Sequence, residues 1–248
     1  WCGANNLFLN VDKTKEMVVD FRRAQSNQSP LIIDGSSVEI VKSTKFLGVH
    51  LADNLTCNLS FKNHINQVTK TAFCHLRIFL RQETSISDVE KLVHAFMTSR
   101  LDYCNALLGG FPASLINKLQ LVQNAAAKVL TRSRKYDHIT PILSSLYWFP
   151  LKIRIDYKLL LLTYKALNSL SPCISSLLTH YNPSRSLRSQ NSGLLVHTRI
   201  AKSTKGGRTF SHLAPKLWNS LPDSVRGSDT LSQFKCRLKT YVFNVFYT

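Results

Sequence analysis

The sequence predicts an α+β chain, mostly α, with a small antiparallel sheet at its N-terminus, a helical bundle in the middle and a basic C-terminal extension. Three observations predict it. Short runs rich in Val, Ile and Phe recur through residues 1–51, and such residues suit the pleated, half-buried surface of a strand. From Phe61 the apolar spacing changes to three and four residues, which gathers side chains on one face of a helix. Beyond Leu170 the chain loosens into Ser, Pro and Asn, turns basic, and closes on one more helical stripe.

Taken in order, the first stretch reads as the end of a helix followed by strands at 17–21, 31–33, 38–41 and 46–51. Asp34 and Gly35 form the turn between the middle pair, Asp-Gly being a hairpin dipeptide. So small a sheet needs helices to cover it. Phe61, Ile65, Val68, Ala72 and Phe79 stripe a first helix, with Lys62, Lys70, Arg77 and Arg81 elsewhere on its surface. A second opens at Ser87 and Glu90, spaced as a capping box, and runs through Val89, Val93, Phe96 and Tyr103 to a stop at Gly109 and Gly110.

Residues 101–168 carry the pattern around which the chain is organised. Leu115, Leu119, Val122, Ala126 and Val129 face a core while Lys118, Gln123, Asn124 and Lys128 point away. Thr140 and Pro141 supply a cap and a pre-set first helical residue for the next helix. The one from Pro150 sets Ile153, Tyr157, Leu160, Tyr164 and Leu167 on one face and has an unbroken Leu run at 159–162, so it is read as the buried helix. After a short strand at 194–197, Trp218 and Leu221 precede Pro222. Thr230 and Gln233 form a second capping box for a helix striped by Leu231, Phe234, Leu238, Tyr241 and Val245. These shifts divide the chain into 1–56, 57–170, a loop at 171–193 holding Arg185 and Arg188, and 194–248.

Composition narrows the function. Hydrophobic residues make up 44% of 248, enough for a real core. Lys and Arg number 32 against 14 Asp and Glu, a formal charge of +18, which repels itself unless an anionic partner neutralises it. Nucleic acid is the polyanion this points to. No apolar run of about 18 residues and no basic-then-apolar leader occur, so the reading is of an intracellular chain, nuclear or cytoplasmic, without a membrane partner. Six Cys without a CxxC pair are read as reduced thiols. The chain begins with Trp1 inside an apparent element, as a piece of a longer protein does.

The familiar catalytic signatures are missing from the sequence. No Asp pair serves a two-metal centre. There is no HExxH or His-x-Asp pair, no GxSxG and no Walker loop. The expectation is therefore no catalytic residue, no metal ligand and no cofactor, and a chain that is not an enzyme on its own. What remains is cationic: Lys13, Lys15, Arg22 and Arg23; Lys128, Arg132, Arg134 and Lys135; and Arg199, Lys202, Lys205 and Arg208 around Gly206 and Gly207. Phosphate contacts need positive charge and little else, and the last of these loops can bring backbone amides to an anion. Phe96, Tyr157, Tyr164 and Trp218 sit at helical core spacing and are read as packing rather than base-stacking groups.

Several long motifs carry a resemblance. WCGANNLFLNVDKTKEMVVDFRR resembles the palm segment that follows the catalytic Asp pair in reverse transcriptases of vertebrate LINE-type non-LTR retrotransposons. KFLGVHLADNLTCNLSFKNHI resembles their primer grip and the start of the thumb. RLDYCNALLGGFP, LQLVQNAAAKVL, HITPILSSLYWFPLKIRIDYKLLLLTYKALN and FSHLAPKLWNSLP resemble the helical region beyond. The resemblance implies that Phe46, Leu47, Gly48 and Val49 correspond to the primer grip, and the helices from Phe61 to the thumb and its extension. It implies RNA or an RNA–DNA hybrid as partner, with the upstream polymerase region as another. The family's aromatic-x-Asp-Asp hairpin would precede Trp1, so the implied function is grip without polymerisation.

Residues 61–110 are also similar to the N-terminal segment of AlkB-like tRNA-modifying dioxygenase and methyltransferase proteins. That class needs two His and an Asp for iron with an Arg for 2-oxoglutarate, or a Gly-rich nucleotide turn, and neither set can be assembled from this sequence. The second resemblance implies a helical interaction module without catalytic residues.

Overall fold

The computed structural model describes residues 3–19, 29–52, 61–81, 85–183, 193–200 and 206–247. The fold is α+β and mostly α, in two compact units, 1–67 and 68–248.

Among the described residues the first unit holds three strand pairs. β1 (Lys15–Glu16), β2 (Ile32–Ile33), β3 (Ser36–Ser37), β4 (Glu39–Ile40), β5 (Ser43–Phe46) and β6 (Val49–Ala52) pair as β2–β3 and β5–β6, both antiparallel, and as β1–β4, which is parallel. The first strand thus lies at 15–16, before the expected 17–21, of which 20–21 fall outside the described residues. Asp34 (φ 50°) and Gly35 (φ 76°) turn β2 into β3 with both central residues left-handed, the turn whose twist matches the strands. The segment 46–51 is not one strand. Leu47 (φ 45°) and Gly48 (φ 83°) reverse the chain inside it, so that Phe46 pairs with Val49. By residue type Leu47 reads as a strand former; only Gly48 announced the turn.

α1 (Lys62–Arg81), whose first six residues belong to the first unit and the rest to the helical unit, buries Ile65, Ala72, Leu76 and Phe79. α2 (Ile86–Val93) is capped by Ser85, whose hydroxyl accepts from the Asp88 amide at 3.3 Å and donates to its carboxylate at 2.7 Å. The N-cap therefore sits two residues before the expected Ser87, and Asp88 bonds the cap hydroxyl rather than the cap amide, so the reciprocal box expected of Ser87 and Glu90 is not formed here. Both pairs have the required spacing; Asp88 is shorter than Glu but reaches the hydroxyl. The helix then widens into a π turn (His94–Thr98), continues as α3 (Ser99–Asp102), and ends before Gly109, where extended Tyr103 and left-handed Cys104 (φ 52°) break it.

Next come α4 (Ala113–Leu130), α5 (Ile139–Ser145), α6 (Leu151–Leu167) and the short α7 (Pro172–Ser175). His138 is the N-cap of α5 and Pro150 that of α6, which displaces Thr140 and Pro150 from their expected places by two residues and one. Gln123, expected on the polar face of α4, is buried and donates to the Phe149 carbonyl at 2.8 Å. A buried amide is tolerated because it is bonded.

α4, α5 and α6 all end in the same way. Arg132 (φ 51°), Tyr147 (φ 53°) and Ser169 (φ 58°) each take the left-handed position just past the helix. The amides of Ser133, Trp148 and Leu170 then close back on the carbonyls of Lys128, Leu143 and Lys165 at 3.0, 2.9 and 2.8 Å. This is the Schellman closure that usually falls on Gly, and here no Gly marks it.

α8 (Phe210–Asn219), α9 (Asp223–Arg226) and α10 (Leu231–Tyr247) complete the unit. α6 is the buried helix, packed against α4, α7, α8, α10 and the 3-10 turn Asn105–Leu108. Its Leu160 and Tyr164 share a cluster with Leu195, Trp218, Leu221, Val225, Phe234 and Leu238. The Tyr164 ring stacks on Phe234 at 4.3 Å and its hydroxyl donates to the Ser228 carbonyl at 2.8 Å. Residues 194–248, read from sequence as an appended extension, therefore form part of the α6 core. Their apolar residues Trp218, Leu221, Val225, Phe234 and Leu238 are buried in that core.

Gly110, read as a helix stop, has a different use. At φ 71° a Cβ there would meet the Gly207 carbonyl at 3.2 Å and the Arg208 Cα at 3.3 Å. Gly110→Ala is expected to lower stability by about 1–3 kcal/mol through backbone strain and displaced neighbours. Urea denaturation measures this; an unchanged midpoint would contradict the close approach.

Candidate nucleic-acid interface

The basic cluster beyond α4 is built by its own backbone. Lys128 donates its ammonium to the carbonyls of Lys135 and Asp137 at 2.6 and 2.9 Å. Asp137 accepts the Arg134 amide on its carboxylate at 2.7 Å and returns its own amide to the Arg134 carbonyl at 3.2 Å. Loop 131–138 is thereby tied down, and its cationic side chains face outward. Arg132, at its left-handed position, has already left the helix, and Lys128 holds the loop.

Arg132, Arg134 and Lys135 are exposed, and no ion pair among the described residues includes them. The Lys135 ammonium lies 5.5 Å from the centroid of Tyr136, whose ring is 90% exposed. Beside this loop runs a groove of about 580 Å³, with Phe73, Leu121 and Tyr136 as its apolar surface, Lys128 and Lys135 as its cations, and Asp137 and His138 also in the lining. Cations around an aromatic-lined groove suit a phosphate backbone with an occasional base against a ring.

The other predicted groups are dispersed. Phe46 and Leu47 stand at the tip of the β5–β6 hairpin, 62% and 74% exposed, while Val49 is buried behind them and Gly48 makes the turn. Lys13 is exposed, whereas Lys15 pairs with Glu39 at 2.8 Å. Arg199 is exposed, and the Arg208 guanidinium sits 4.7 Å above the Phe111 ring. Arg22, Arg23, Lys202, Lys205, Arg185 and Arg188 lie outside the described residues. No family model, curated protein or solved structure matches the chain.

The contribution of Phe73, Leu121 and His138 was not legible in sequence, since each lies on a different element and reads as an ordinary helical or loop residue. Tyr136 was missed as well, although its place beside Arg132, Arg134 and Lys135 is a signal that could have found it. Among the described residues no group of three or more His, Cys, Asp or Glu is placed to hold a metal ion, and no helix is long and apolar enough to cross a membrane.

In the first unit, His64 lies 6.3 Å from His50, ring to ring. Burial, and then the charge of His50, hold its pKa below the ordinary 6.5. The folded state thus disfavours the imidazolium that the unfolded chain accepts. The resulting stability is complete above about pH 6.5 and is lost as pH falls from there through the lowered folded pKa. His64→Asn is expected to flatten that acid-side slope, as followed by unfolding midpoints between about pH 7 and pH 5. An unaltered slope would assign the acid sensitivity elsewhere.

Proposed function

We propose that this chain is a non-catalytic part of a LINE-type reverse transcriptase that grips RNA or an RNA–DNA duplex by its phosphate backbone, without reading sequence, in the nucleus or cytoplasm. The observation that carries the reading is loop 131–138, where Arg132, Arg134 and Lys135 are exposed outside any ion pair among the described residues, and Lys135 lines an aromatic groove. The formal charge of +18 and the motif resemblance point the same way. The exposed tip at Phe46 and Leu47 suits the primer-grip role that the resemblance implies, being apolar and ready to pack on a strand.

Anisotropy titration with two RNA–DNA duplexes of unrelated sequence is expected to give affinities equal within about threefold, since phosphate contacts carry no sequence information. Incubation with template-primer, Mg²⁺ and nucleotides is expected to give no extension. A strong preference for one duplex, or incorporation by the purified chain, would contradict the reading.

A second reading has its own support. Within residues 61–110, Ile78, Leu80, Ile86, Phe96, Tyr103 and Leu107 are large apolar side chains left exposed. Such a surface suits a helical module that docks another protein, as the similarity to the N-terminal segment of AlkB-like proteins implies. The upstream polymerase region is the partner proposed under the first reading. Salt-insensitive self-association without duplex binding would favour the second.

A further inference from the structure

A second cleft, of about 320 Å³, opens in the helical unit between the π turn, the α5–α6 connection, α6 and α10. Tyr147, Trp148 and Phe149 form one side of it. Arg154, Lys158 and Lys239 bring its positive charge. Its only lining carboxylate among the described residues, Asp102, is already engaged: Arg154 pairs with one oxygen and the Asn105 amide donates to the other at 3.2 Å. Lys158 and Lys239 are exposed, with no ion-pair partner among the described residues. The cleft is thus aromatic on one side and net cationic.

The aromatic side is held rigidly. Phe243 stacks on Tyr147 at 5.6 Å and lies 6.3 Å from Phe149, and the His94 ring meets Trp148 edge-on at 6.2 Å. The Trp148 carbonyl accepts the Tyr247 hydroxyl, and the Phe149 carbonyl accepts Gln123. Two backbone irregularities converge here as well. Tyr147 occupies a left-handed position that Gly would fill without strain, and the π turn supplies His94 and Thr98 to the lining. Features of this kind carry an energetic cost and gather at functional sites.

We propose that this cleft binds a single nucleotide, with the base against the Tyr147–Phe149 side and the phosphate on Lys158 and Lys239. Its volume suits one mononucleotide rather than a duplex, and an aromatic face with nearby cations takes any base. This site is separate from the α4–α5 groove, so either can fail alone.

Isothermal titration of the full chain with adenosine 5′-monophosphate and uridine 5′-monophosphate tests it. Both are expected to bind, and adenosine alone or inorganic phosphate alone about tenfold more weakly, each having one half of the site. Tyr147→Gly removes the ring while easing the backbone, and Lys158→Ala with Lys239→Ala removes exposed charge only; each is expected to cost about tenfold in affinity. Thermal unfolding of the lysine double variant should match the parent, which keeps the test valid if Tyr147→Gly loosens the Phe243 stack.

A 5′-phosphorylated and an unphosphorylated oligonucleotide, compared in a chain carrying Arg132→Ala, Arg134→Ala and Lys135→Ala, identify the source. Preference for the phosphorylated strand makes the ligand a strand end, and equal weak binding makes it a free nucleotide. Absence of binding by both monophosphates, or parental affinity in both variants, would overturn the proposal.

Discussion

Phe234→Ala is expected to lower the stability of the chain by about 3–5 kcal/mol, the range for truncating a fully buried aromatic side chain. Phe234 has 0% exposure and lies between Tyr164, stacked at 4.3 Å, and Trp218 at 5.8 Å. Removing the ring leaves a cavity lined by Tyr164, Trp218, Leu160 and Leu238, which α6 and α10 hold apart. Against a total folding free energy of about 5–15 kcal/mol, that loss is large. Val245, on the same helix but 68% exposed, provides the control: Val245→Ala should stay within about 0.5 kcal/mol. Urea denaturation of the two variants compares them directly. Equal midpoints would mean that residues 194–248 do not share a core with α6.

Changing Arg132, Arg134 and Lys135 together to Ala is expected to weaken duplex binding by the same factor for every sequence and to reduce the salt slope by roughly two to three units. Folding should change little, because exposed charges outside ion pairs contribute within about 0.5 kcal/mol each. Two single variants separate charge from scaffold. Arg132→Gly removes a guanidinium and supplies the residue its left-handed backbone prefers, so stability should rise by about 0.5–1 kcal/mol while the slope falls by about one. Lys128→Ala removes the bonds to the Lys135 and Asp137 carbonyls, so it should cost about 1–2 kcal/mol and weaken binding through a loosened loop. If Lys128→Ala left stability unchanged while the triple variant unfolded, the roles assigned to these residues would be reversed.

The parts of the fold legible in sequence were those written in periodicity. The α4 stripe from Leu115 to Ala126, the burial of α6 and the Thr230–Gln233 cap all followed from spacing, and Gln233 accepts the Asp229 amide at 2.9 Å as part of that cap. Helix ends were illegible where closure fell on Arg132, Tyr147 and Ser169 rather than Gly. A Schellman closure depends on backbone conformation, and a non-Gly residue there carries no mark. The π turn was hidden for a related reason: one extra residue in a turn shifts Phe96 outward without altering residue type. Gln123 misled because polarity suggests solvent, whereas its partner, the Phe149 carbonyl, lies 26 residues away. Of the candidate site, the charges were visible and their support was not, since Lys128 was read as one more phosphate ligand.

The central claim is sequence-independent grip of a phosphate backbone, and its direct measurement is the affinity of the unaltered chain for one RNA–DNA duplex across salt. Three uncompensated cations predict a slope of log affinity against log salt near −2.7, which is a loss of about fortyfold between 50 and 200 mM. Binding that is absent at low salt, or that holds its affinity across the whole range, would contradict the claim.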